Sequence, residues 1–238
     1  MKGIIICIWR AWFVFWAGMG IVIFAPLFYI ALLFDKSLAS FCVAARMWSR
    51  FILTISGVST KSVIEQPLEK GKTYIICANH ASFIDIPAMY LAIPGEITFI
   101  GKESMTKIPL FGYFYRRVVI LINRKSKKDS YRAFQDASKQ ANNGRCIVIF
   151  PEGGIPKDNG DRLHRFKAGA FRIAVDQELE IIPVSFPDNI KVFPVSLTRG
   201  YPGKLRMHVH RPVSNTDPEA LKKEVYDIID NKLKEFGR

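Results

Sequence analysis

The sequence predicts an α/β domain with a largely parallel, mixed sheet flanked by helices, preceded by an N-terminal pair of membrane-associated helices. The first observation behind this prediction is a long uncharged stretch, Ala11–Phe34, near the start of the chain. The second is a series of short apolar runs that alternate with segments of helical pattern, as in proteins with parallel sheets covered on both faces. These runs lie at 74–78, 97–102, 118–122, 145–150 and 181–186.

The uncharged stretch is long enough to cross a membrane. As a helix it would measure about 36 Å, against roughly 30 Å of bilayer hydrocarbon. Pro26 interrupts it, and basic residues on both flanks leave its orientation open. A second segment, 37–56, places apolar residues at helical spacing, which predicts an amphipathic helix. We expect residues 1–56 to be membrane-anchoring helices, which either cross the bilayer or dip into one leaflet, and residues 57–238 to form the α/β domain. A buried core helix of a soluble protein is the alternative.

The composition indicates an anionic partner. Lysine and arginine exceed aspartate and glutamate by 34 to 21, which gives a formal net charge of +13, and 49% of the residues are hydrophobic. The charge fits nucleic acid, an anionic membrane or a phosphorylated substrate, and the apolar content favours the membrane. Because the basic residues are spread along the chain rather than clustered with aromatics, we expect no nucleic-acid partner. The four cysteines lack metal-site spacing and lie in apolar runs, which predicts buried, reduced thiols and no bound metal.

The connections between the apolar runs follow the α/β pattern. Residues 57–72 are polar and predict a linker between anchor and domain. A Pro in the run at 181–186, Pro183, indicates an edge strand or a bulge. The alternating stretch 205–209 leads from Arg206 through His208 to His210, for which a solvated strand face is favoured over a metal site. Helices are predicted at 81–91, 131–142, 166–175 and 218–236.

A histidine and a carboxylate stand just past the first apolar run of the domain. His80 and Asp85 would be about 140° apart on a regular helix, because five residues advance about 500°. We therefore expect His80 to occupy the corner before the helix, where its imidazole can fold back onto Asp85. Such a pair activates a hydroxyl as a general base, with the carboxylate fixing the tautomer and stabilising the imidazolium.

Other interpretations of this pair remain open. His80 can simply cap the helix, with Asp85 as a first-turn carboxylate favoured by the helix dipole. Ser82 lies close by, but the chain has no Gly-x-Ser-x-Gly elbow, so a covalent serine mechanism is poorly supported. Two further runs end in polar groups: Arg124 follows one, and Gly153-Gly154, whose amides can approach a phosphate closely, follows another.

These pieces, taken in order, resemble the glycerolipid acyltransferase family, and most closely its bacterial 1-acyl-sn-glycerol-3-phosphate (lysophosphatidate) acyltransferases, over residues 72–212. The pieces are Asn79-His80-x4-Asp85, the strand leading to Arg124, Phe150-Pro151-Glu152-Gly153 and Ile182-Pro183-Val184, with Gly101-Lys102-Glu103 and Phe166-Lys167-Ala168-Gly169 as further similarities.

The resemblance implies an enzyme of phospholipid biosynthesis. It would move a fatty acyl group from a thioester of coenzyme A or acyl carrier protein to the sn-2 hydroxyl of lysophosphatidic acid, giving phosphatidic acid without an acyl-enzyme and without a cofactor. His80 would be the base and Asp85 its orienting partner, at the cytoplasmic face of a bacterial inner membrane. The implied acceptor-site residues are Asn79, Lys102, Arg124, Glu152, Gly153, Gly154 and Pro183.

One departure from the family pattern affects the acceptor. The family usually has Thr-Arg after its Phe-Pro-Glu-Gly motif, whereas this chain has Gly154-Ile155, so the usual cation is missing. Lys157, Arg162 or Arg165 could replace it. A different lysolipid, such as a lyso-aminolipid, is therefore the alternative acceptor, and a basic membrane-binding or nucleic-acid-binding protein is the non-enzymatic alternative.

Overall fold

A seven-stranded sheet lies at the centre of the computed structural model, which describes residues 2–34, 37–123, 126–156 and 162–238. Numbered in chain order, the strands are β1 Ser59–Ile64, β2 Ile75–Ala78, β3 Ile97–Lys102, β4 Val119–Ile122, β5 Cys146–Ile149, β6 Ile181–Ser185 and β7 Lys204–Val209. Their order across the sheet is β1-β7-β6-β2-β5-β3-β4. Neighbouring strands run parallel except β6 and β7. The predicted fold class is confirmed.

Helices cover both faces of this sheet. They are α1 Lys2–Phe34, α2 Ala39–Ile55, α3 Asp85–Ala92, α4 Phe111–Val118, α5 Lys127–Asn142, α6 Gly169–Asp176, α7 Asn189–Val192 and α8 Pro218–Glu235, with a 3₁₀ turn at Glu103–Lys107. Residues of α1 to α4 share one hydrophobic core with one face of the sheet, and residues of α5, α6 and α8 share a second core with the other. Strand β2 is fully buried between the two cores, which is why its sequence is continuously apolar rather than alternating.

The polar segment 57–72 is more than a linker, because it contains β1. This strand pairs in parallel with β7 at the edge of the sheet, and all six of its side chains are exposed. A strand that buries no side chain has no hydrophobic alternation, so periodicity could not reveal it.

Pro183 lies in an interior strand, so the edge alternative was wrong. Strand β6 has β2 on one side and β7 on the other. Between the pairings Ile181↔Val213 and Val184↔Val209, however, β6 has two residues and the opposing chain has three. This offset is a bulge, and it accommodates a residue that has no N–H to donate to the ladder.

Two expectations about exposure were also wrong. His208 and His210 are buried, at 8% and 4% exposure, rather than solvated. Their rings pack under neighbouring elements, and the ring of His208 lies against Phe236 beyond the end of α8. Cys7 is exposed on α1, whereas Cys42, Cys77 and Cys146 are buried as expected.

Helix α2 is amphipathic as predicted, but protein covers its apolar face. Phe41, Cys42 and Ile52 are buried against the rest of the domain. Arg46 points in the same direction and donates to the carbonyl oxygens of Tyr90 and Ile93 at the end of α3. These bonds satisfy carbonyl groups that the helix itself leaves unpaired.

Helix α1 lies along the domain instead of standing apart from it. Arg10, only 7% exposed, donates to the Arg199 carbonyl oxygen and covers the Phe193 ring. Towards the other end, the rings of Phe28 and Phe114 are 5.4 Å apart. The contacts from Arg10 to Phe28 span about 27 Å of helix. The outer face of α1 is bare and apolar, and within the described residues this is the one helix long and apolar enough to cross a membrane.

Candidate active site

The corner between β2 and α3 brings His80 onto Asp85. The imidazole Nδ1 lies 2.8 Å from Oδ2 of Asp85, whose side chain is fully buried. The same oxygen accepts hydrogen bonds from the backbone N–H groups of Ala81 at 2.8 Å and Ser82 at 3.0 Å. The other oxygen accepts one from the side-chain amide of Asn189 at 2.6 Å. Four donors therefore stabilise the negative charge of this buried carboxylate.

This arrangement assigns the tautomer of His80. A carboxylate has no proton to donate, so Oδ2 of Asp85 accepts the hydrogen bond from Nδ1 just as it accepts those from the two backbone amides. The proton therefore lies on Nδ1, and Nε2 is the basic atom. The imidazole is stacked on Phe150, with ring centroids 4.0 Å apart, and its side chain remains 14% exposed. His80 is thus held on two sides and open on a third, as a general base requires.

Glu152 supports the backbone on both sides of this site. Its Oε1 accepts from the N–H of His80 at 2.7 Å, and its Oε2 accepts from the N–H of His164 at 3.1 Å. Burial raises the pKa of the Glu152 carboxyl, while the two amides oppose that rise. Glu152 thus holds the backbone at His80 and His164 with one hydrogen bond to each of its oxygens, and its assignment to the acceptor site stays a prediction.

Asn79 and Pro183 also lie behind the site. Asn79 is 1% exposed, and its amide both donates to the carbonyl oxygen of Phe186 and accepts from the Phe186 N–H. This pair of bonds joins the ends of β2 and β6. Pro183 is buried in β6 opposite Cys77. Neither residue presents a polar side-chain atom to a ligand, so each shapes the site through the backbone.

Lys167, which was not among the predicted site residues, lies across the glycine loop. Gly153 has φ +84°, and a Cβ added there would lie 2.5 Å from Nζ of Lys167. The Lys167 side chain therefore lies directly across Gly153, while its backbone N–H donates to Pro151. Only the similarity of the stretch around Lys167 to the acyltransferases could have signalled it.

An apolar cavity of about 270 Å³ adjoins this lysine. It lies between α5, α6 and the adjacent strand ends, with Lys167 and Gly153 as part of its lining. The remaining lining residues are mainly aliphatic or aromatic, among them Ile100, Ile122, Phe134, Ile149 and Ile173. Such a cavity suits an apolar chain with a polar end.

The cations predicted from the sequence are exposed, as Lys167 is, or lie outside the described residues. Lys102 is exposed at the carboxyl end of β3. Arg162 and Arg165 are exposed on the segment that precedes α6. Arg124 and Lys157 lie outside the described residues.

Two serines lie near histidines, but neither hydroxyl is accessible. Ser82 is fully buried and donates to the Phe193 carbonyl oxygen. Ser185, also fully buried, is 2.9 Å from Nε2 of His210, whose Nδ1 is 2.8 Å from Glu65. Burial lowers the pKa of His210, despite the nearby carboxylate. This Ser-His-Glu chain joins β6 to β7 and β1 within the fold.

Comparisons with known proteins identify relatives of this chain. A family model described as Acyltransferase matches residues 59–187, just over half of the chain. The 1-acyl-sn-glycerol-3-phosphate acyltransferase of Helicobacter pylori is 31% identical over 134 residues, covering 56% of each protein. The lyso-ornithine lipid O-acyltransferase of Rhizobium meliloti is 25% identical over 171 residues, covering 71% of this chain and 55% of the relative. The chain thus spans about half the length of these curated relatives.

A solved structure shares the fold over the full length. The 1-acyl-sn-glycerophosphate (LPA) acyltransferase of Thermotoga maritima superposes with a TM-score of 0.85, covering 100% of this chain and 99% of the other at 23% identity. The match includes the N-terminal helices, so their packing along the domain belongs to the shared fold.

Proposed function

Because the chain belongs to the acyltransferase family, we propose that it transfers a fatty acyl group from an acyl thioester to the sn-2 hydroxyl of lysophosphatidic acid, producing phosphatidic acid. The observation that carries this proposal is the His80–Asp85 pair, in which Nε2 of His80 has no hydrogen-bond partner among the described residues while Ser82 and Ser185 are buried. A base without an accessible nucleophile suits direct attack by a substrate hydroxyl.

In the proposed reaction, Nε2 of His80 accepts the proton of the acceptor hydroxyl as its oxygen attacks the thioester carbonyl carbon. The C–O bond forms, the C–S bond breaks, and the departing thiolate takes the proton back from the imidazolium. Asp85 stabilises that imidazolium, and its four donors hold the carboxylate in place. The chain's own residues suffice for this step, so no cofactor is proposed.

The acceptor's phosphate requires compensation for its charge. A phosphomonoester carries about 1.5 to 2 negative charges at neutral pH, and cations or N–H groups must pair with it. We assign this role to Lys167 and the amide of Gly154, with Arg124 as the predicted second cation. The N–H of Gly153 already donates to the Phe150 carbonyl oxygen at 3.0 Å. Lys167 supplies positive charge at the loop where Ile155 replaces the usual arginine.

The cavity beside Lys167 suits the aliphatic chain of a substrate, because it is lined mainly by apolar side chains. The acyl donor is a thioester of coenzyme A or of acyl carrier protein. The lyso-ornithine lipid relative favours an aminolipid as the second candidate acceptor, since such a lipid would not need the missing arginine.

Membrane association follows from α1. Its outer face exposes apolar residues along most of its length, which a bilayer can cover. If α1 crossed the membrane, the domain packed along about 27 Å of it would enter the hydrocarbon too. We therefore favour insertion of the bare face into one leaflet, on the cytoplasmic side, with residues 1–56 as the anchor and 57–238 as the catalytic domain.

A panel of acceptors and donors tests the proposed function. The full chain would be incubated with lysophosphatidate, lysophosphatidylcholine or lyso-ornithine lipid, each with acyl-coenzyme A or acyl carrier protein thioester. Thiol release would be measured and products identified by mass. We expect phosphatidate as the dominant product, dependent on His80. Preference for the aminolipid would reject lysophosphatidate as the acceptor, and absence of thiol release with every pair would reject the enzyme.

A further inference from the structure

One segment of the chain contacts the catalytic corner at three places. The corner is residues 79–85, and the segment is 186–193, which leads from β6 through α7. Phe186 forms two hydrogen bonds with Asn79, as described above. The segment also accepts a bond from the Ser82 hydroxyl through a backbone carbonyl, and it donates one to Asp85 from Asn189. The corner is therefore built from two parts of the chain more than a hundred residues apart.

Asn189 makes the contact that bears most directly on the chemistry. It is fully buried, and its Nδ2 is 2.6 Å from Oδ1 of Asp85. Its own Oδ1 is buried without a hydrogen-bond partner among the described residues. The side chain is therefore oriented so that its NH₂ donates to the carboxylate while its oxygen makes no hydrogen bond with the described residues. The opposite oxygen of Asp85 serves His80 and two backbone amides.

The neighbour of Asn189 fixes its location. Asp188 forms a two-bond ion pair with Arg206 on β7, at 2.6 and 2.7 Å, and also accepts the Arg206 backbone N–H. Such a paired geometry restrains the backbone of the segment at the residue before Asn189. Strand β7 and the corner therefore both hold the segment in place.

We propose that Asn189 is a positioning residue of the active site, which holds the plane of the Asp85 carboxylate so that Oδ2 remains aligned with Nδ1 of His80. Without this donor, one oxygen of a buried carboxylate loses its side-chain partner, and the carboxylate can rotate away from the imidazole. The inference rests on the proposed function, since it assigns His80 as the base.

Two variants separate this role from simple packing. Asn189→Leu keeps the volume but removes the donor, so kcat should fall roughly 10- to 100-fold, the range for one hydrogen bond to a charged group, while KM changes less than threefold. Asn189→Asp keeps the shape, and it can donate only while protonated. Its activity relative to wild type should therefore fall as the pH rises.

The control is Asn231→Asp, which adds the same charge to the exposed surface of α8. Its activity relative to wild type should not depend on pH. Thermal unfolding would show that each variant is folded. A folded Asn189→Leu protein with kcat within twofold of wild type, or an Asn189→Asp activity ratio that does not change with pH, would overturn the proposal.

An NMR measurement makes the test independent of acyl transfer. Rotation of the Asp85 carboxylate in Asn189→Leu should weaken the hydrogen bond that Nδ1–H of His80 donates and shift the resonance of that proton, whereas Asn231→Asp should leave it unchanged. His80→Ala identifies the signal. An unchanged resonance in folded Asn189→Leu would refute the contact, and this outcome is distinct from a wild-type protein that fails to acylate any lysolipid.

Discussion

Replacing Asp85 with asparagine should leave the fold intact and lower kcat by about 10³-fold. The side chain of asparagine has the same shape, and its oxygen can still accept from His80 and the two backbone amides. Its new NH₂ would face Asn189, whose Oδ1 has no hydrogen-bond partner among the described residues and can turn to accept it. The variant therefore loses mainly the negative charge next to the imidazolium. At about 4 Å and an effective dielectric constant near 20, that charge is worth about 4 kcal/mol, or three factors of ten in rate.

The assay is phosphatidate formation under saturating acceptor, with kcat and KM measured for Asp85→Asn, His80→Ala and the double variant. His80→Ala should lose roughly 10² to 10⁴ in rate, and the double variant should be no slower than the worse single variant, because the two residues act as a unit. Losses that multiply would show that Asp85 does not act through His80. Near wild-type turnover in folded His80→Ala would refute the proposed base.

Arg124→Ala and Lys167→Ala should each raise KM for lysophosphatidate more than KM for a zwitterionic lysolipid, by a factor equivalent to about 1.5 to 3 kcal/mol. Arg124→Lys should recover only part of the loss. Equal effects on both lipids would contradict a phosphate contact. Aspartate in place of the exposed Phe15 and Ile23 of α1 should weaken binding to anionic vesicles in a flotation assay while Tm stays unchanged; unchanged flotation would place the membrane contact elsewhere. Burial lowers the pKa of His208, so the stability it contributes is complete above pH 6.5 and is lost as the pH falls towards its pKa in the folded protein. His208→Leu should therefore reduce the loss of unfolding free energy on acidification, by at most about 1.4 kcal/mol per pH unit, in urea titrations; an unaltered slope would contradict this.

The buried strands and the corner between β2 and α3 could be predicted from the sequence, because burial on both faces leaves a continuous apolar run and helix geometry demands a corner for His80 to meet Asp85. Strand β1 could not, because it buries no side chains. Asn189 could not either. It contacts Asp85 across more than a hundred residues, and nothing in its local pattern indicates that α7 packs on the corner.

The amphipathic pattern of α2 was interpreted correctly as a helix, but its apolar face lies against protein. A hydrophobic stripe on a helix indicates that this face is covered, but it does not distinguish coverage by a domain core from coverage by a bilayer. The proposed membrane contact is instead the exposed apolar face of α1, because the domain covers only the opposite face of that helix. Lys167 was missed because a lone lysine in an amphipathic stretch usually lies in solvent.

Phe193 connects the N-terminal helix to the catalytic corner. Its ring lies under Arg10 and packs against Phe13 at 4.6 Å, while its carbonyl oxygen holds Ser82 beside Asp85. The N-terminal helix and the catalytic corner thus meet in one residue. With α1 inserted into one leaflet as proposed, its orientation would also set the distance of His80 from the lipid headgroups. An unrelated transmembrane helix in place of α1 would keep the enzyme at the membrane, but it would not hold the active site at the same distance and orientation relative to the lipid.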